Sequence, residues 1–411
     1  MPDCLLCGQP LSQNLMLPFG SLVACNRFEN QGLRRAETHL LSVTECEACN
    51  LVQLSEFPPL NFVRPRVPWI HYNEPVAHLD AVASQLQSLL SMETACVVGV
   101  GPFDDPLLDR LPDCRFSQIK LDIASRLPIE QGSYPYLESI QELLRPNILA
   151  DLAAEQGTAH LVSCRYLLEH SHDPIATLQG LRHLIKADGF LLIEIPDSTK
   201  FLSTMDYSFI WEEHICYFTE ETFRACALRA GYEVTHFFRY CGTLEDALVF
   251  ILRPQPHTRD KVTLSQKCKS SDIFLNYRAE FDHVREKHIN ALEKITATGR
   301  KVVIFGAGHQ SVMFINALGL QDHIAYVIDD DPDKAGYLIP GTAIEIVSSE
   351  QLTNDHSIDV CLLGVNPGVE ERIRAECSAY LNCGGRMCSI FPGAGTDTLM
   401  DELFRGCCEP D

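Results

Sequence analysis

The sequence predicts an α/β protein in which two doubly wound, nucleotide-type sheets follow a small β-rich module held together by metal. Three observations predict it. Two Cys-x-x-Cys pairs fall within the first 50 residues, short apolar runs alternate with amphipathic stretches from about 78 to 252, and the same alternation restarts at Lys301. With 411 residues, 46% of them hydrophobic, the chain can bury several cores, and its length divides it into two to four domains.

The module spans residues 1–57. Cys4 and Cys7, then Cys46 and Cys49, place two thiolate pairs on tight turns flanked by Gly8 and Asn50. Two such knuckles close a tetrahedral zinc site with no open position, and the metal supplies the cohesion that a unit under 60 residues lacks. Chance surface pairs are the bland alternative; a thioredoxin-like redox pair would be single and would open a helix. The proline-rich stretch FPPLNFVRPRVPW then reads as a linker.

Residues 58–255 form the first sheet domain. Leu79, Val82, Leu86, Leu89 and Leu90 recur at helical spacing before Ala95 to Val98, a short buried strand. Further strands are expected at Phe116 to Leu121, His160 to Cys164 and Phe190 to Ile195. Thr219 caps a helix that begins with Glu220 and Glu221 and stops at Gly231, and Tyr232 to Tyr240 with Ala247 to Leu252 close the sheet as an antiparallel pair. Residues 256–299 are a connector whose helix carries Phe274, Tyr277, Phe281, Val284, His288, Leu292 and Ile295 on one stripe. Residues 300–411 form a Rossmann-like domain with VVIF, GAGHQS, IAYVID, VCLLGV and RMCSIF in turn.

A formal charge of -22, spread along the chain, argues against binding a phosphate backbone. Most of the 18 cysteines sit singly in apolar stretches, as Cys96, Cys164, Cys226 and Cys361 do, and the opening MPDCLLCGQP lacks the pattern of a signal peptide. A reduced, cytoplasmic, soluble protein is expected, since no apolar run approaches the ~20 residues that span a bilayer.

Chemistry concentrates at three further places. In VVGVG, Val97 to Gly101, glycines Gly99 and Gly101 let a cofactor approach the backbone, and Asp122, 21 residues beyond Gly101, can accept hydrogen bonds from two ribose hydroxyls. The third glycine of a dinucleotide fingerprint is absent, with Pro102 and Phe103 in its place. In HLVSCRYLLEHSHDP, Glu169 and His170 follow a strand; a cap at Asp173-Pro174 is the plainer reading. In WEEHICYFT, Glu212, Glu213 and His214 cluster beside Tyr217, and a carboxylate can fix an imidazole tautomer so that its other nitrogen handles a proton. A solvated loop is the alternative.

Here the sequence resembles the sugar C-methyltransferases that act on nucleotide-linked keto-sugars, a three-part family with a zinc-binding domain, a methyltransferase domain and a nucleotide-fold domain. CLLCG through NRF to CEACNLVQL, then LLEH, WEEHICYF, and VIFGAG through VIDDDPDKAGYLIPG carry the resemblance over nearly the whole chain. It implies a class I methyltransferase sheet with its antiparallel ending, S-adenosylmethionine as cofactor, structural zinc, and a Leu-Glu-His turn with Glu169 facing the cofactor. A family Tyr-x-Glu-His element supplies a proton-handling histidine and its carboxylate; these fall on His214 and Glu213, while the tyrosine position holds Trp211. An upstream family tyrosine corresponds loosely to Tyr72.

The implied reaction removes a proton from the carbon next to a carbonyl, with His214 as base, and methylates the resulting enolate. Tyr217, Tyr72 or His170 would donate to its oxygen. The implied partners are S-adenosylmethionine and a small-molecule acceptor, a nucleotide-diphosphate sugar, with no nucleic acid and no membrane. Rivals are the same fold acting on another carbon, oxygen or nitrogen acceptor, an NAD-dependent oxidoreductase using GAGHQS and Asp329, and a non-catalytic binding protein. For the C-terminal domain, NAD binding, nucleotide-sugar binding and a purely structural role stay open.

Overall fold

A computed structural model describes residues 3–30, 37–70, 72–121, 123, 143–255 and 272–392. Asp122 lies outside them.

The N-terminal unit contains β1 (Met16–Leu22), β2 (Glu29–Asn30), β3 (His39–Glu45) and β4 (Val52–Leu54). β1, β3 and β4 pair antiparallel, and the Cys46-Cys49 turn joins β3 to β4. Each knuckle is closed the same way. Gly8 N–H donates to the Cys4 carbonyl and Asn50 N–H to the Cys46 carbonyl, both at 2.8 Å, and each donor residue has positive φ, +71° and +61°. Glycine and asparagine are the residues that adopt that conformation at least cost, which accounts for both flanks.

The second unit runs from the helix Leu79–Leu89 through β5 (Ala95–Gly99), β6 (Phe116–Lys120), β7 (Ala159–Arg165), β8 (Ile185–Asp197), β9 (Cys216–Tyr217), β10 (Tyr232–Tyr240) and β11 (Asp246–Pro254). Its sheet has the order β10-β11-β8-β7-β5-β6. β6, β5, β7 and β8 are mutually parallel, whereas β11 runs antiparallel between β8 and β10. That order, with its reversed final strand, is the class I methyltransferase sheet expected from the sequence. The chain leaves β5 toward β6 on one side and later crosses to β7 on the other, so a switch point opens at the carboxyl ends of β5 and β7, where such sheets bind ligands.

The third unit holds β12 (Lys301–Phe305), β13 (Ile324–Ile328), β14 (Tyr337–Leu338), β15 (Ile346–Val347), β16 (Ile358–Leu363) and β17 (Arg386–Ser389). Five of these strands form a parallel sheet, β15-β13-β12-β16-β17. The helix Ile273–Thr296 precedes it and buries Phe274, Tyr277, Phe281, Leu292 and Ile295, as its stripe predicts. Tyr277 locks it to the second unit: its carbonyl accepts from the Tyr207 hydroxyl at 2.7 Å, and its own hydroxyl donates to the Asp206 carbonyl at 3.1 Å.

Two features depart from the sequence reading. The proline-rich stretch is more than a linker: it contains a helical turn, Leu60–Val63, with Phe62 and Val63 buried, and Arg27 donates to the Phe62 carbonyl at 2.6 Å. The N-terminal sheet also extends into the second unit, because β4 pairs with β9. Among the described residues, no helix is long and apolar enough to cross a membrane.

Candidate active site

The glycine turn after β5 is organised from within. Asp104 is fully buried; its carboxylate accepts from Val100 N–H and Gly101 N–H, each at 3.0 Å, and from the Ser163 hydroxyl at 2.5 Å. Burial pushes its pKa up to about 6. A Cβ on Gly99 would come within 2.8 Å of the Asp104 Cβ, and one on Gly101 within 2.8 Å of a Leu167 methyl. Both glycines are thus required by close packing of the turn. Asp104 escaped the sequence reading, although its position three residues after Gly101 is a capping-box spacing.

Beyond the turn, Glu169 and His170 lie on the helical turn Leu168–His170 that follows β7. Glu169 is 1% exposed, and neither carboxylate oxygen has a hydrogen-bond partner. Burial drives its pKa well upward, toward the neutral acid. An orphaned buried carboxyl at the switch point fits a polar cofactor that supplies its missing partner. Tyr166 adds a second such group: its hydroxyl is buried without a partner and its φ is +49°, a left-handed conformation uncommon outside glycine.

The Trp211 to Tyr217 segment faces these groups, and the N-terminal unit holds it in place. Cys25 N–H donates to the Glu212 carboxylate. The Glu213 carboxylate accepts from Asn26 Nδ2 at 2.7 Å and from the Tyr72 hydroxyl at 2.9 Å. The β4–β9 pairing follows immediately, with Leu54 N–H donating to the Ile215 carbonyl and Ile215 N–H to the Glu169 carbonyl. Glu213 meets His170 through its main chain. Its carbonyl accepts from His170 Nδ1 at 2.9 Å, which places the proton on Nδ1 and the lone pair on Nε2. Tyr217 is pinned too; its hydroxyl accepts from Trp211 N–H at 2.9 Å and donates to the Trp211 carbonyl at 3.1 Å.

His170 and His214 meet edge to face, centroids 4.6 Å apart at 90°. Glu169, His170 and His214 each bring one ligand atom within 4.8 Å of the others, close enough to hold a cation between them. Burial lowers the His170 pKa to about 3. The same desolvation, aided by His170 and His309, holds His214 well below the usual histidine range. Both rings are therefore neutral at pH 7.

His214 lines a cavity of about 750 Å³ between the second and third units, together with Tyr72, Glu74, Tyr166, Trp211 and Glu245. The third unit contributes His309, which stacks on Trp211 at 4.5 Å and 16°. Sequence reasoning missed His309 because GAGHQS reads first as a phosphate loop. The loop's expected ribose carboxylate, Asp329, is engaged at home, accepting from Ala307 N–H and Lys334 Nζ, both at 2.8 Å. Away from the cavity, Cys4, Cys7, Cys46 and Cys49 converge, with Sγ pairs 4–49 and 7–46 each 3.4 Å apart.

Two family models match successive stretches of the chain. Residues 78–237 match a methyltransferase domain family, and residues 261–392 match the C-methyltransferase C-terminal domain. The chain is an S-adenosylmethionine-dependent C-methyltransferase. It is 22% identical over 414 residues to the C-methyltransferase NovU of Streptomyces niveus, covering 95% of each chain. Among solved structures it is similar to the 1,6-didemethyltoxoflavin-N1-methyltransferase of Burkholderia thailandensis, with a TM-score of 0.27 and 14% identity over 44% of this chain and 79% of that one. It is also similar to LepI in complex with SAM, with a TM-score of 0.26 and 11% identity over 46% of this chain and 45% of that one. The fold of the C-methyltransferase rests on its strand order, and its substrate is a small-molecule methyl acceptor.

Proposed function

We propose that this C-methyltransferase methylates a carbon next to the carbonyl of a nucleotide-linked keto-sugar. One observation carries the reading: a neutral, half-buried His214, backed edge to face by His170, opens onto a cavity large enough for a sugar and part of its nucleotide. The resemblance of CLLCG, WEEHICYF and VIDDDPDKAGYLIPG to sugar C-methyltransferases names the acceptor class.

His214 takes the proton from the carbon beside the carbonyl, and the C–H electron pair moves into a C=C bond as the carbonyl electrons settle on oxygen. Burial serves this step by keeping the imidazole unprotonated until substrate arrives. His170, fixed by the Glu213 carbonyl, holds the ring of His214 from one edge. Gly99, Gly101, Glu169 and, beyond the described residues, Asp122 would hold S-adenosylmethionine, which supplies when bound a methyl on a sulfonium that loses its charge in transfer. The protonated His214 then releases its proton to cavity water.

The four cysteines fit zinc by donor chemistry and by count: four thiolates make a closed structural site. Through β4 and β9 that site braces the segment carrying His214.

Replacing His214 by Ala tests the reading. Transfer should fall by about 10²–10⁴-fold or more while calorimetric affinity for S-adenosylmethionine stays near normal. Retained turnover removes the imidazole from the role of base.

A further inference from the structure

We infer that the indole N–H of Trp211 is the hydrogen-bond donor to the carbonyl oxygen of the acceptor, and so the group that stabilises the enolate; the inference rests on the keto-sugar reading. Trp211 is 6% exposed and lines the cavity, yet its Nε1 is buried without a partner. A buried donor left unmade is costly and calls for an acceptor that arrives with a ligand.

The donors that the sequence nominates for the enolate oxygen are committed elsewhere. The Tyr217 hydroxyl donates to the Trp211 carbonyl, the Tyr72 hydroxyl to Glu213, and His170 Nδ1 to the Glu213 carbonyl. Trp211 is also the best held. His309 stacks on one face, Tyr72 lies 5.7 Å away, and the main-chain N–H and carbonyl are both clamped by Tyr217. Its ring centroid is 5.0 Å from that of His214, which suits an oxygen two bonds from the carbon that loses the proton.

The chemistry of indole narrows the ligand. Its N–H donates only, accepts nothing and does not ionise at any working pH, unlike the tyrosine hydroxyl in the resembled family. The atom it meets must therefore be an acceptor throughout the reaction. A carbonyl oxygen meets that condition and gains charge as the proton leaves, so the bond strengthens toward the transition state. An ammonium group at that place does not.

The test uses the full chain with thymidine diphospho-4-keto-6-deoxyglucose as probe, in D2O with S-adenosylhomocysteine, and follows hydrogen exchange at the carbon beside the carbonyl. Wild type should exchange, His214→Ala should not, and Trp211→Phe, which keeps a stacking ring, should slow exchange on the order of 100-fold with a nearly unchanged KM. Exchange by Trp211→Phe at the wild-type rate overturns the inference alone; so does a Tyr166→Phe variant that carries the loss instead, since that hydroxyl is also unpartnered. No exchange by wild type overturns the keto-sugar reading and the inference with it. Because Trp211→Phe can fail to fold, the indole resonance is read independently. The chain has two tryptophans, so in Trp69→Phe the single remaining Nε1–H should shift downfield when the probe binds, and an unmoved resonance contradicts the assignment.

Discussion

Acidification should destabilise this protein through His170, by an amount that can be worked out. The ring is 2% exposed and its pKa is lowered to about 3, mainly by burial, whereas an unfolded histidine titrates near 6.5. Between those values the unfolded chain takes up a proton that the folded chain refuses, so stability is full above pH 6.5 and falls as the pH drops. Integrating from pH 7 to pH 5, each pK unit being worth 1.36 kcal/mol, gives a loss of about 2 kcal/mol from this ring alone. The result hardly depends on whether the folded value is 3 or 4, since both lie below the window. In His170→Asn the amide nitrogen can still donate to the Glu213 carbonyl, but nothing titrates. Urea unfolding at the two pH values should show wild type losing about 2 kcal/mol more than the variant across the interval. Equal losses would mean that the folded protein protonates His170 freely, and the argument for neutral imidazoles would fail.

Two further predictions concern the four-cysteine site and two acids that line the cavity. Cys46→Ser should abolish zinc binding, measured by metal analysis, and lower thermal stability; unchanged metal content would count against the four-cysteine site. Glu74 is pushed up to about 8, first by burial and then by facing Glu245, itself raised to about 7. Both acids therefore gain charge as pH rises through that range, so KM for an anionic nucleotide-sugar should increase from pH 7 to 9. In Glu74→Gln much of that rise should vanish, and an identical pH profile would place the effect elsewhere.

Much of the fold was legible because periodicity is a local signal. The helix stripe from Phe274 to Ile295 and the closing pair of strands appear where alternation and spacing place them. Thr219 caps its helix as its residue type suggests, accepting from Thr222 N–H. The two cysteine knuckles were legible because turn geometry demands Gly8 and Asn50 beside the cysteines. The site was harder to read. Asn26 lies 187 residues from Glu213 and Tyr72 lies 141 away, and no local pattern encodes such contacts. The β9 strand has two residues, too few to show a period, so the joining of the four-cysteine module to the histidine segment was invisible. The Glu213 carboxylate, expected to orient His214, turns to Asn26 and Tyr72, and the main-chain carbonyl does the orienting of His170 instead. His309 reaches the cavity through a domain contact that motif reading of GAGHQS assigned to a different ligand.

The most direct test of the account is carbon NMR of the product formed from S-adenosylmethionine carrying a carbon-13 methyl and a panel of nucleotide-diphosphate keto-sugars. The account predicts a labelled methyl bonded to the carbon beside the carbonyl. A label on oxygen or nitrogen, or no transfer to any keto-sugar by protein that binds the cofactor, would contradict it.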